Sequence, residues 1–242
     1  MNDKKKQDTA SSAVSSWGEW FNRTAQYYQD PLMKMAYYRD GQSGQPVQEQ
    51  VMRAMYDDIW RKLDPRPEHA VLDVGCGVGL WEKNYTPKVQ KIIGTDISLN
   101  MIQDACRLNP KCSFLVCRAE SLPFKAESFD RILCYGVFLY FSNKKMAEDV
   151  LDGFLRVMKK DGLLLIGDIL EPWEKQTQAN KKEKITPWWP GRLNHRLSKL
   201  YLPRSFFLEY CEKNNLRCAI LEQTIQGRML PSPRYDVAIR LQ

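Results

Sequence analysis

The spacing of apolar residues divides this chain into a helical N-terminal region and an alternating region that begins near residue 70. Between Val14 and Tyr28 the residues Trp17, Trp20, Phe21, Thr24 and Tyr28 recur at helical intervals, and Asp30-Pro31 breaks the pattern. A turn-rich stretch from Asp40 to Pro46 leads to a second predicted helix, with Val47, Val51, Met55, Ile59 and Leu63 on one face and Asp64-Pro65-Arg66-Pro67 closing it. Two helices are therefore expected ahead of the first strand. From Ala70 onward, short β-rich runs alternate with helical segments. The predicted strands are Ala70 to Val74, Lys91 to Thr95, Ser113 to Cys117, Phe129 to Tyr135 and Leu163 to Asp168. Helices fit between them at Gly79 to Tyr85, Leu99 to Leu108 and Asn143 to Lys159, with Gly162 expected as a left-handed cap after the last. This alternation predicts an α/β fold of Rossmann-like type, with a doubly wound and mostly parallel sheet. After Asp168 a stretch rich in Pro, Trp and Lys runs to Pro203 without periodicity. A helix from Arg204 to Asn214 and two strands, Arg217 to Gln223 and Tyr235 to Arg240, follow, and the strands suit an antiparallel hairpin at the sheet edge.

Length and composition narrow the reading without redirecting it. A chain of 242 residues suits one α/β catalytic unit with an appended lid. No apolar stretch approaches the roughly 20 residues of a membrane span, and the polar first residues lack the apolar core of a secretory signal, so a cytoplasmic location is expected. The seven cysteines show no paired C-x-x-C spacing and mostly sit in apolar runs, which indicates neither disulfides nor zinc. The net charge of +7 favours anionic partners without singling one out.

The chemistry concentrates at Val71-Leu72-Asp73-Val74-Gly75-Cys76-Gly77-Val78-Gly79, a glycine-rich turn directly after a buried strand. Missing side chains there let a ligand approach the backbone at the strand's carboxyl end. A dinucleotide loop would read G-x-G-x-x-G/A, whereas Leu80 occupies the last position. Asp73 would also set a carboxylate near a pyrophosphate, but it suits a ligand carrying an ammonium group and a positive sulfur, and so favours S-adenosylmethionine. Asp96 ends the second predicted strand, where a carboxylate can accept both ribose hydroxyls, and Ser98 can cap the next helix. Ile97 and Met101 are placed to flank an adenine, and Ala119 or Glu120 to meet its edge. Asp130, one residue into the fourth strand, reads as structural.

Taken in order, Leu72-Asp73-Val74-Gly75-Cys76-Gly77-Val78-Gly79, Asp96-Ile97-Ser98, Ala119-Glu120-Ser121-Leu122-Pro123-Phe124 and Phe129-Asp130-Arg131-Ile132-Leu133-Cys134 resemble successive motifs of class I S-adenosylmethionine-dependent methyltransferases. In flavour they are nearest the small-molecule group called methyltransferase type 11. The resemblance spans about Val71 to Asp168. It implies a seven-stranded sheet, a tail and helical lid over residues 1–66, and a catalytic domain over 67–242 with a lid insertion at 171–203. It also implies cofactor contacts from Asp73, Gly75, Gly77, Asp96, Ile97, Met101, Ala119, Glu120 and Cys134.

The acceptor side is less defined. Methyl transfer from a sulfonium requires alignment of acceptor, methyl and sulfur, with a base only where the nucleophile must lose a proton. Of the two histidines, His195 lies in the insertion and is the candidate base. His69, just before the first strand, reads as a surface residue at the far end of the sheet. Tyr27, Tyr28, Tyr37 and Tyr38 are candidates to reach the cofactor or acceptor from the lid. The strand end Cys134-Tyr135-Gly136-Val137-Phe138 lacks the Asn/Asp-Pro-Pro-aromatic motif of enzymes that methylate planar amines. The insertion interleaves Lys175, Lys181, Lys182, Lys184, Arg192, Arg196, Lys199 and Arg204 with Trp188, Trp189 and Tyr201, a composition suited to an anionic acceptor. The expected activity is methyl transfer from S-adenosylmethionine to a small molecule such as a sugar, lipid precursor or secondary metabolite, with an RNA or protein methyltransferase as the alternative. Nucleic acid is expected to be an unlikely partner and peripheral membrane contact a possible one, and the sequence does not fix the oligomeric state.

Overall fold

The computed structural model describes residues 16–35, 48–172, 199–225 and 234–242. Its centre is a seven-stranded sheet formed by β1 (Ala70–Val74), β2 (Lys91–Asp96), β3 (Ser113–Val116), β4 (Phe129–Tyr135), β5 (Met158–Leu170), β6 (Leu216–Glu222) and β7 (Arg234–Leu241). The spatial order is β3-β2-β1-β4-β5-β7-β6. β1 to β5 are parallel, and β7 alone is reversed, pairing antiparallel with β5 on one side and β6 on the other. The predicted terminal hairpin is present, with its second strand inserted between β5 and the first. The order reverses at β1, so the crevice beyond the carboxyl ends of β1 and β4 is the topological switch point of the sheet.

Seven α-helices flank the sheet among the described residues: α1 (Trp17–Tyr27), α2 (Pro31–Lys34), α3 (Glu49–Leu63), α4 (Leu80–Tyr85), α5 (Leu99–Leu108), α6 (Lys144–Val157) and α7 (Arg204–Lys213). Three of them precede the first strand, not two, because Pro31 starts the short α2 after ending α1. Strand alternation sorts the core into two layers. Leu72, Val74, Ile132, Cys134, Leu164 and Ile166 face α6 and α7. Val71, Leu133 and Leu165 face Met55, Tyr56, Ile59 and Leu63 of α3 and Trp81 and Tyr85 of α4. Arg131 reaches across this second layer, and its Nε donates to the carbonyls of Leu63 (2.9 Å) and Asp64 (3.0 Å) where α3 ends.

Two local expectations are overturned. Gly162 does not cap a helix: α6 ends at Val157 with an extended residue after it, and Asp161-Gly162 lies inside β5, whose register shifts between its pairings at Met158 and Leu163. Gly162 is absent from the positive-φ glycines, which are Gly75, Gly77, Gly79 and Gly136. His69 is not a surface residue. It is buried, 8% exposed, and its Nδ1 accepts from the Arg66 amide at 2.9 Å, closing the turn that feeds β1. Asp130 is structural as read, since its carboxylate accepts from the Ala70 amide (2.8 Å) and from Lys159.

Candidate functional site

The glycine loop after β1 is bent by three left-handed residues, Gly75 (φ 83°), Gly77 (φ 57°) and Gly79 (φ 74°). A side chain at Gly75 would collide with Val137, and one at Gly77 with Met35. The loop is tied to β2 through the amides of Gly75 and Cys76, which donate to the Thr95 carbonyl at 2.7 and 3.0 Å. Asp96, at the end of β2, accepts from the Gly77 amide (3.0 Å) and the Ser98 amide (2.8 Å). Each carboxylate oxygen thus keeps a lone pair for a ligand hydroxyl. Burial pushes the Asp96 carboxyl up to about 6, against the opposing pull of these amides. Ser98 caps α5 by accepting from the Met101 amide at 3.2 Å, which fixes the first turn of α5 and, with it, Met101.

These elements surround a cavity of about 460 Å³. Of the nine predicted cofactor residues, Gly75, Gly77, Asp96, Ile97, Met101, Ala119 and Glu120 line it. Asp73 stands behind the loop, 5% exposed, in contact with Glu82 of α4. Cys134 does not reach the cavity with its side chain. Alternation turns it into the layer under α6 and α7, where it is fully buried, and at this strand end Tyr135, Gly136 and Val137 line the cavity instead.

The sequence reading missed the wall supplied by α1. Trp17, Gly18 and Phe21 line the cavity from this helix, and Tyr140, after β4, packs against Trp17 and Phe21 with ring centroids 4.7 and 5.1 Å away. Asn22 locks the helix in place. Its Oδ1 accepts from Ser98 Oγ (2.8 Å) and the Asn100 amide (3.2 Å), and its carbonyl accepts from Asn100 Nδ2 (3.1 Å). The period that predicted α1 also put Trp17 and Phe21 on one face, but it could not say what that face covers. Tyr27 and Tyr28 are not on the wall. They pack on each other at 4.8 Å, and Tyr27 is 58% exposed. Tyr37, Tyr38, His195 and the basic residues from Lys175 to Arg196, with Trp188 and Trp189, lie outside the described residues. Arg204, at the edge of that stretch, is engaged by Glu171 and Glu222. Among the described residues there is no group of three His, Cys, Asp or Glu side chains able to hold a metal ion, and no helix long and apolar enough to cross a membrane.

Residues 72–166 match the family model described as Methyltransferase domain. The chain is 36% identical over 113 residues to the uncharacterized methyltransferase YcgJ of Bacillus subtilis, which covers 44% of this chain and 43% of YcgJ. It is 32% identical over 155 residues to the tRNA (carboxymethyluridine(34)-5-O)-methyltransferase of Saccharomyces cerevisiae, covering 55% of this chain and 54% of that protein. The chain thus spans about half the length of these curated relatives. In fold it is similar to magnesium protoporphyrin IX methyltransferase from Synechocystis PCC 6803, solved with bound SAH, with a TM-score of 0.65 at 17% identity over 92% of this chain and 97% of that one.

Proposed function

From the premise that residues 72–166 form a class I S-adenosylmethionine-dependent methyltransferase domain, we propose that this chain transfers a methyl group from S-adenosylmethionine to a small-molecule acceptor. The observation that carries the reading is the cavity at the switch point, where a loop of three left-handed glycines meets a half-buried Asp96 whose oxygens can still accept. The residues suit the cofactor's chemistry. Asp96 offers paired acceptors for two ribose hydroxyls, Ile97 and Met101 give apolar walls for a purine, and Ala119 and Glu120 bring polar backbone and carboxylate to its edge. The cofactor supplies an electrophilic methyl on a positively charged sulfur. The chain's part is to align and to exclude water: the glycine loop admits the ligand to the backbone, while Trp17, Phe21 and Tyr140 close the cavity with aromatic surface. Where the acceptor must lose a proton, His195 is the proposed base, on the strength of the sequence alone, and the basic residues of 171–203 are proposed to favour an anionic acceptor. We place the lid at residues 1–66 and the catalytic domain at 67–242.

A second reading, transfer to RNA, is favoured by the similarity to a tRNA methyltransferase. One experiment separates the two. The chain is incubated with cofactor labelled on the methyl group and fractionated cell extract, with nuclease and protease controls. Label in a small-molecule fraction, resistant to both treatments, is the expected result. Label lost on nuclease treatment would replace this reading with the RNA one, and absence of cofactor binding by calorimetry would remove both.

A further inference from the structure

The carboxyl groups of Asp73 on β1 and Glu82 on α4 meet behind the glycine loop, on the α3 and α4 side of the sheet. Glu82 is fully buried and Asp73 is 5% exposed. Neither oxygen of Glu82 has a hydrogen-bond partner among the described residues. Its neighbour is another carboxyl, which can donate only if it carries a proton. Among the described residues, the titratable groups facing the pair offer no cation: Asp96 from the end of β2, Cys76 from the loop and Cys112 ahead of β3 are all acids. Two carboxyls in contact in such a site cannot both ionise, so the pair always keeps one proton, and only a second is open to exchange near neutral pH. Burial accordingly pushes the Asp73 carboxyl up to about 7 and Glu82 well above the ordinary carboxylate range.

We propose that the Asp73–Glu82 pair couples its second, exchangeable proton to the charge of the ligand in the adjoining cavity, releasing it to solvent when the cationic sulfonium cofactor binds, with one shared proton retained, and recovering it when the ligand is the neutral thioether product. The inference rests on reading the cavity as an S-adenosylmethionine site. Physically, Asp73 lies two residues before Gly75, which lines the cavity, so a positive sulfur there favours the ionised carboxylate through a poorly screened medium. Glu82 is a positioning residue acting through Asp73. The balance is simple: no covalent bond to the chain changes, and one O–H bond of the pair exchanges its proton with buffer. The pair thereby favours substrate over product as pH rises, because ionisation strengthens attraction for the sulfonium and leaves the thioether unattracted.

Calorimetric titration of the full chain at pH 7, in buffers of differing ionisation enthalpy, counts the protons directly. Binding of S-adenosylmethionine should release roughly half a proton, as expected for a group titrating near that pH. Affinity should tighten about three- to tenfold from pH 6 to pH 8, while S-adenosylhomocysteine shows little of either effect. Glu82→Gln supplies an amide donor to Asp73, so it should abolish the proton release and flatten the pH dependence, and Glu82→Asp should restore both in part. Binding of both ligands with no dependence on buffer, or equal proton release for both, would overturn the proposal while leaving the methyltransferase reading intact. Failure of S-adenosylmethionine to bind at any pH would overturn the reading and the proposal together. The wild-type titration decides the matter even if Glu82→Gln does not fold.

Discussion

At the scale of single residues, Asp96 carries the largest share of the proposed cofactor recognition. Asp96→Ala removes a charged acceptor and also frees the Gly77 and Ser98 amides it holds. Affinity for S-adenosylmethionine should fall by about 1.5–3 kcal/mol, the range for hydrogen bonds to charged groups. Calorimetry on a folded variant checks this, and unchanged affinity would remove the ribose role. Asp96 was legible from its place at a strand end, because strand ends converge at the switch point whatever the tertiary detail. Cys134 and His69 were misread for a related reason. Position along a strand says which end a residue occupies, whereas its layer depends on registration against helices far away in the chain. Glu82 went unnoticed because one acid on a short helix carries no signal until its neighbour across the layer is known.

At the scale of elements, α1 was legible as a helix but not as a cavity wall. Its apolar face satisfies the helical period equally well against any surface, and its docking depends on Asn22 meeting Ser98 and Asn100, a contact 76 to 78 residues away in sequence. Asn22→Ala leaves the Ser98 hydroxyl and the Asn100 amide without their acceptor. The expected cost is about 1–3 kcal/mol in docking, read as faster amide exchange across Trp17–Tyr27 and weaker cofactor affinity, with exchange in α6 unaltered. Unchanged exchange in α1 would show that aromatic packing alone holds it. The misplaced cap at Gly162 illustrates the converse case, in which a local turn signal was outweighed by pairing. A strand beginning at Met158 gains a partner in Phe129, and the Asp161-Gly162 irregularity is absorbed as a register shift in the sheet.

Across the whole molecule, the buried Asp236 of β7 joins three distant segments. It pairs with Lys62 of α3 at 2.7 Å and accepts from Gln223 after β6 (2.6 Å) and from the Asp168 amide of β5 (3.0 Å). Lys62→Ala leaves this carboxylate without its cation, and the domain should lose about 3–5 kcal/mol of stability, measured by urea denaturation. A loss below about 1 kcal/mol would mean that the remaining donors suffice. The parallel half of the sheet was legible because each strand–helix unit is locally encoded, and the final hairpin was legible as two strands. Its threading was not, since no local pattern says that the later strand enters between β5 and the earlier one. That arrangement bears on the order of events during synthesis. When β6 leaves the ribosome the place beside β5 must stay vacant, because β7, the strand that belongs there, has yet to be made. Until β7 arrives, β5 is an unprotected edge open to premature pairing, and the slowest step of assembly is expected to be the late insertion of β7, a closure between strands about 70 residues apart.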